Sequence, residues 1–113
     1  QLSNMWLICE RMQASLGDPA ALTRADIDLH TSWAIASGNP LYLLNMQSLE
    51  IVMDWTGPIG FAAFDGEDAI KAHIELHFQI TEAIEAKKSD DAQKKMLDHF
   101  DQARTCMLDA GFI

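Results

Sequence analysis

Apolar residues recur at three- and four-residue steps along almost the whole chain, and the run is cut twice by a glycine, a capping residue and a proline. Leu2, Met5, Cys9, Met12 and Leu16 form the first stripe, stopped by Gly17-Asp18-Pro19. A 3.6-residue period puts these side chains on one helical face, and glycine just past the last of them is a stop signal. Asp18 offers an oxygen to the free N–H groups of a second helix, and Pro19 suits its first position. That helix carries Leu22, Ala25, Leu29, Trp33 and Ala36 and ends at Ser37-Gly38, after which Asn39-Pro40 repeats the start signal. A third helix is expected from Leu41 to Trp55. It is apolar on nearly all sides, and so either central to a bundle or covered by a partner subunit. Thr56 to Gly66, with Gly57, Pro58 and Gly60, reads as a loop whose Ile59, Phe61 and Phe64 fold over something. Helices from Glu67 to Lys87 and from Asp90 to Asp109 follow, the last capped by Ser89 and closed by Gly111. Strand signals, repeats and linkers are missing. The expected fold is all-α, an antiparallel bundle of about five helices forming one domain over residues 1–113.

Composition narrows the function. The chain is 49% hydrophobic, enough for a packed core, which excludes a disordered segment. Eight basic against 17 acidic residues give a net charge of −9. Such a surface repels phosphate backbones and anionic lipids, so these residues are not expected to touch nucleic acid or membrane. The most apolar stretch, Leu41 to Trp55, is broken by Asn45, Gln47, Ser48, Glu50 and Asp54 and cannot span hydrocarbon. Cys9 and Cys106 lie within helical patterns and read as small buried hydrophobes. The first residues lack the features of a signal peptide. The expectation is a soluble, cytoplasmic domain, opening directly into an amphipathic pattern as though cut from a longer protein.

The informative residues break the apolar pattern. Asp26 and His30 are four apart, hence on one helical face, and that face is flanked by Leu22, Leu29 and Trp33. His77 falls on the inward stripe of the fourth helix with Ile70, Ile74, Ile80 and Ile84. His99 falls on that of the fifth with Met96, Ala103 and Met107. Burying a lone carboxylate or imidazole costs on the order of several kcal/mol unless it is paired or bound to metal. One aspartate and three histidines converging from three helices suit a divalent metal such as Zn, Ni, Mn or Fe, with coordination positions left open. The competing reading is a helical Asp26–His30 ion pair with His77 and His99 as ordinary polar residues. His73, four before His77, reads as a solvated or boundary residue and a reserve ligand.

These residues also carry a family resemblance. Asp26-Ile27-Asp28-Leu29-His30, then Ala36-Ser37-Gly38-Asn39-Pro40-Leu41, then His77-Phe78-Gln79-Ile80-Thr81-Glu82-Ala83-Ile84, then Met96-Leu97-Asp98-His99, occur in order, with His99 22 residues after His77. This resembles, over roughly Ala20 to Arg104, the FadR-like (FCD) effector domain of GntR-type transcription regulators. The resemblance implies a helical bundle with a metal in a central cavity, held by Asp26, His30, His77 and His99. It further implies a small organic-acid effector bound at the metal, homodimers, and operator DNA contacted only through an attached winged helix-turn-helix domain. That domain is absent from these residues, and so is a helix with which the family's effector domain usually begins. No lysine or arginine lies between Ala25 and Ile70, so the metal must supply most of the positive charge.

A sensor is therefore expected rather than an enzyme. Trp33, Asn39, Asn45, Phe78 and Thr81 are the candidate effector-binding residues, with Thr31 and Gln79 as further polar neighbours. A metal-dependent hydrolase is the first alternative, since an open coordination position can activate water. Asp28 and Glu75 read as solvated, however, and no residue is singled out as a general base. A metal-free helical dimerisation module is the second alternative, favoured by the apolar third helix and six methionines.

Overall fold

The computed structural model describes residues 2–111, with the side chains of residues 2 and 3 outside that description, so Leu2 of the first stripe is not among the described side chains. Five helices follow in order: α1 (Leu2–Ala14), α2 (Pro19–Ala36), α3 (Pro40–Ala62), α4 (Gly66–Glu85) and α5 (Ser89–Asp109). No strand occurs among the described residues. The two punctuation signals work as expected. Asp18 Oδ1 accepts from the Ala21 N–H at 3.2 Å, and Asn39 Oδ1 accepts from those of Leu41 and Tyr42 at 3.0 and 3.4 Å. Gly17 and Gly38 turn the chain at φ +94° and +68°, a region glycine enters at no steric cost.

The expected loop from Thr56 to Gly66 is mostly helix, because α3 runs on to Ala62. Pro58 lies inside it and removes one backbone donor, a local cost of about 3 kcal/mol. Continuing the helix brings Gly60 and Phe61 into the interior, with Ala63 and Phe64 buried just after it. Gly57 is there for contact rather than for flexibility: a Cβ on it would lie 2.3 Å from Thr23 Cγ2 on α2. Ser89 is the first residue of α5 rather than its cap. Lys88 holds the cap position without a side-chain hydrogen bond, and Asp90 and Asp91 favour the positive end of the helix instead.

α1 packs against α2 and α4, α2 against α3, and α4 against α5. The core gathers Met5, Cys9 and Met12 of α1 with Leu22, Leu29 and Trp33 of α2, and adds Phe61, Phe64, Ile74 and Ile80. α3 is not the central helix within this chain. Its Leu41, Leu44, Ile51, Val52, Trp55 and Ile59 are exposed, Trp55 to 81%. Both cysteines are free, Cys9 buried and Cys106 half-buried. No helix among the described residues is long and apolar enough to cross a membrane.

Candidate metal centre

α2 supplies Asp26 and His30 one turn apart, α4 supplies His77, and α5 supplies His99. One donor atom from each lies within 4.8 Å of the others. His77 is fully buried, His30 and His99 nearly so, and Asp26 is half-buried. Asp26 Oδ1 is 2.8 Å from His77 Nε2 and 3.3 Å from His30 Nε2, and His99 Nε2 is 3.0 Å from His77 Nε2. Two donors bound to one ion at 2.0–2.1 Å are separated by about 3.0 Å at a right angle and about 3.4 Å at the tetrahedral angle. These three spacings fall at or near those values, and the remaining donor pairs lie within 4.8 Å.

A count of protons makes the same point. His77 Nδ1 lies 2.8 Å from the His73 carbonyl oxygen, which can only accept, so Nδ1 carries a proton. A neutral His77 then presents a bare Nε2 to the Asp26 carboxylate at 2.8 Å, whereas a neutral His99 can satisfy that nitrogen by donating from its own Nε2. The carboxylate and the bare nitrogen repel at this distance unless positive charge lies between them, as a second proton on His77 or as a cation. The His77 Nδ1–H to carbonyl bond is the outer support that metal-bound imidazoles usually have, since it fixes the ring with its other nitrogen facing inward. His99 Nδ1 is buried and has no hydrogen-bond partner. A carboxylate and three imidazoles are hard-to-borderline donors suited to a divalent first-row ion, and this group can hold one.

Burial alone would raise the Asp26 carboxyl. The neighbouring imidazoles of His30 and His77 outweigh it through charge and hydrogen bonding, and hold it well below the usual carboxylate range. Burial, reinforced by His77 and His73, pushes His99 down to about 2. His73 is lowered to about 4, again by burial first and then by His77. Both rings are therefore neutral at ordinary pH, the form a metal requires.

His73 is not the solvated or boundary residue its sequence position suggested. It is 4% exposed, stacks on His99 with ring centroids 4.4 Å apart, and pairs its Nδ1 with Gln102 Oε1 at 2.8 Å. Its backbone oxygen and its ring thus both support the cluster.

The cluster opens into a cavity of about 250 Å³ between α2, α3 and α5, where Asp26, His30, His73 and His99 form one end. None of the five candidate effector residues lines this cavity, although Trp33 packs against the His30 and His77 rings with centroids 4.6 and 5.7 Å away. Trp33 Nε1 donates to Thr81 Oγ1 at 3.1 Å, inside the packing of α1, α2 and α4. Phe78 is half-buried beside Trp6, Asn39 caps α3, and Asn45 is exposed. Gln79 accepts from Lys95, away from the cluster. The cavity wall comes instead from Met46, Met53, Gly57, Gly60, Phe64 and Met107. The sequence offered one clue to them: the closely spaced glycines and aromatics that resembled a loop.

Fold and site together define an all-helical domain in which a buried carboxylate–imidazole group, able to hold a metal ion, adjoins a cavity of small-molecule size. The family model described as FCD domain matches residues 1–102. The chain belongs to that family, the C-terminal domain of GntR-family regulators. No curated protein and no solved structure matches the chain.

Proposed function

We propose that this domain senses a small organic acid through a divalent metal held by Asp26, His30, His77 and His99, as the effector-binding part of a GntR/FadR-like transcription regulator. The observation that carries this reading is the convergence of those four donor atoms, from three helices, at the end of a cavity. When bound, the ion supplies the positive charge that anchors a carboxylate, in a cavity whose lining includes no lysine or arginine. The chain's own part is to hold the donors. Asp26 keeps its charge through His30 and His77, the His73 carbonyl orients the His77 ring, and Phe61 and Phe64 exclude water from the inner wall.

The effector would act by favouring one arrangement of the helices, and an attached winged helix-turn-helix domain would read that choice at its operator. The reading includes a homodimer in the cytoplasm. The exposed apolar stripe of α3, Leu41, Leu44, Ile51 and Trp55, supports association with a second copy. FCD domains are regulatory domains rather than known enzymes, and we read this one as non-catalytic. Asp26 is the one carboxylate lining the cavity and is engaged by two imidazoles, which leaves it ill-suited to move a proton for catalysis.

Isothermal titration of short organic acids into metal-loaded and chelator-treated protein tests the proposal. Binding is expected with metal only. Equal binding after chelation contradicts the anchor.

A further inference from the structure

The chemistry of the cavity wall selects among organic acids. Apart from Asp26 and the histidines, its lining includes Met46, Leu49, Met53, Phe61, Phe64 and Met107, with Gly57 and Gly60 contributing backbone. Two hydroxyls face it, and both have already committed their protons to the backbone. Thr23 Oγ1 donates to the Pro19 carbonyl at 2.7 Å, and Thr56 Oγ1 to the Val52 carbonyl at 3.0 Å. Neither can donate to an anion without giving up that bond. Arg24 and Arg104, each next in sequence to a lining residue, are exposed, and Arg24 is engaged by Asp28 and Glu50 at 3.2 and 2.9 Å.

Positive charge can therefore be offered at one end of the cavity only. Held inside the cavity, a second carboxylate or a row of hydroxyls would lie unpaired among methionine and phenylalanine side chains, which is costly, while the side where Leu49 and Phe100 are exposed is open to water. Three methionines suit a tail of variable shape, because the thioether chain is flexible and polarizable. Gly60 deepens the wall: a Cβ there would meet only the tip of Met107, at 3.1 Å. A dry cavity of about 150 Å³ holds benzene, so the space here accommodates about ten non-hydrogen atoms.

We infer that the acid recognised by this chain is a monocarboxylate with an apolar tail, of about ten non-hydrogen atoms in all, and not a dicarboxylate, tricarboxylate or polyhydroxy acid. The inference rests on the sensor reading above and adds the class of ligand. The carboxylate occupies the end bounded by Asp26, His30 and His99, and the tail runs along α3 towards Met53 and Met107.

Calorimetric titration of metal-loaded protein with acetate, octanoate, octanedioate and citrate tests this. Octanoate is expected to bind at least tenfold more tightly than acetate and at least a hundredfold more tightly than octanedioate or citrate. Octanedioate or citrate binding as tightly as octanoate overturns the inference. So does metal-dependent acetate binding that octanoate does not improve, and that result leaves the sensor reading standing. Octanoate preference that persists after chelation supports the apolar tail site while contradicting the metal anchor. Failure of all four acids to bind overturns both. Ala103→Leu and Gly60→Ala, which narrow the tail space from α5 and α3, should each lower the octanoate-to-acetate affinity ratio at least tenfold. An unchanged ratio in both variants overturns the placement of the tail.

Discussion

The two sides of the bundle are built differently although the same apolar residue types serve both. Where α1, α2 and α4 meet, Met5, Cys9, Met12, Leu29 and Ile80 are wholly buried, and Trp33 reaches through this packing to Thr81. Along α3 and α5, Leu44, Ile51, Val52, Trp55, Leu97 and Phe100 remain exposed. The cluster sits on the boundary. Three of its four donors come from helices of the tightly packed side, and His99 comes from α5. The cavity likewise has one end fixed by the core and a wall formed by the looser helices. Such a division suits a sensor, because the donors of α2 and α4 keep their geometry while α3 and α5 have freedom to answer a ligand.

The largest difference between the sides should appear on truncation. Leu29→Ala in the packed side is expected to cost about 2–5 kcal/mol in urea unfolding, through lost burial and the cavity left behind. Val52→Ala on α3 should change stability by less than about 0.5 kcal/mol. Equal costs would mean that α3 is covered in solution, and the contrast would then belong to the single chain alone.

Acid should act through the boundary cluster. His73 and His99 have folded-state pKa values depressed to about 4 and about 2, against an ordinary 6.5. Below pH 6.5 the unfolded chain takes up protons that the folded, metal-free protein refuses, so stability present above that pH is lost as pH falls. His73 alone should account for a loss of about 3 kcal/mol between pH 6.5 and 4, at about 1.4 kcal/mol per pH unit. The depressed Asp26 carboxyl acts in the same direction below its ordinary value near 3.8, where the unfolded chain is protonated first. Unfolding free energies of metal-free wild type and His73→Gln across this range should show a shallower slope in the variant. Parallel slopes would remove His73 from the account.

A smaller effect tests how the sides join. Gly57→Ala places a methyl 2.3 Å from Thr23 Cγ2, and is expected to cost about 1–3 kcal/mol by forcing α3 away from α2. Adding Thr23→Ala should recover part of that loss, because the nearest remaining atom of residue 23 would be its Cβ at 3.0 Å. No coupling between the two changes in a double-mutant cycle would argue against this contact.

The packed side was the more legible in the sequence. α2 could be placed closely because Asp18-Pro19 and Ser37-Gly38 carry local signals, and local signals do not depend on the rest of the fold. The four-residue cluster was legible for a related reason: a polar residue on an apolar helical stripe is conspicuous whatever lies opposite. α3 was misread where long-range packing overrides local preference. Pro58 and the two glycines around it look like a loop in isolation, but Gly57 is required by Thr23, a residue on another helix. His73 fails in the same way, since its burial depends on Gln102 and His99 of α5. Trp33 and Thr81 show a further limit. Periodicity placed them inward, yet the interior has a packed region and a cavity, and the sequence does not say which of them a side chain enters.

The central claim is that Asp26, His30, His77 and His99 hold a single ion. The most direct measurement is elemental analysis of wild-type protein and His77→Ala after equilibration with a divalent metal and removal of the excess. The account predicts one ion per chain in the wild type and less than about a tenth of that in the variant, since a buried donor bound directly to the ion is gone. A wild type that retains no stoichiometric metal, or a variant that retains as much as the wild type, would contradict it.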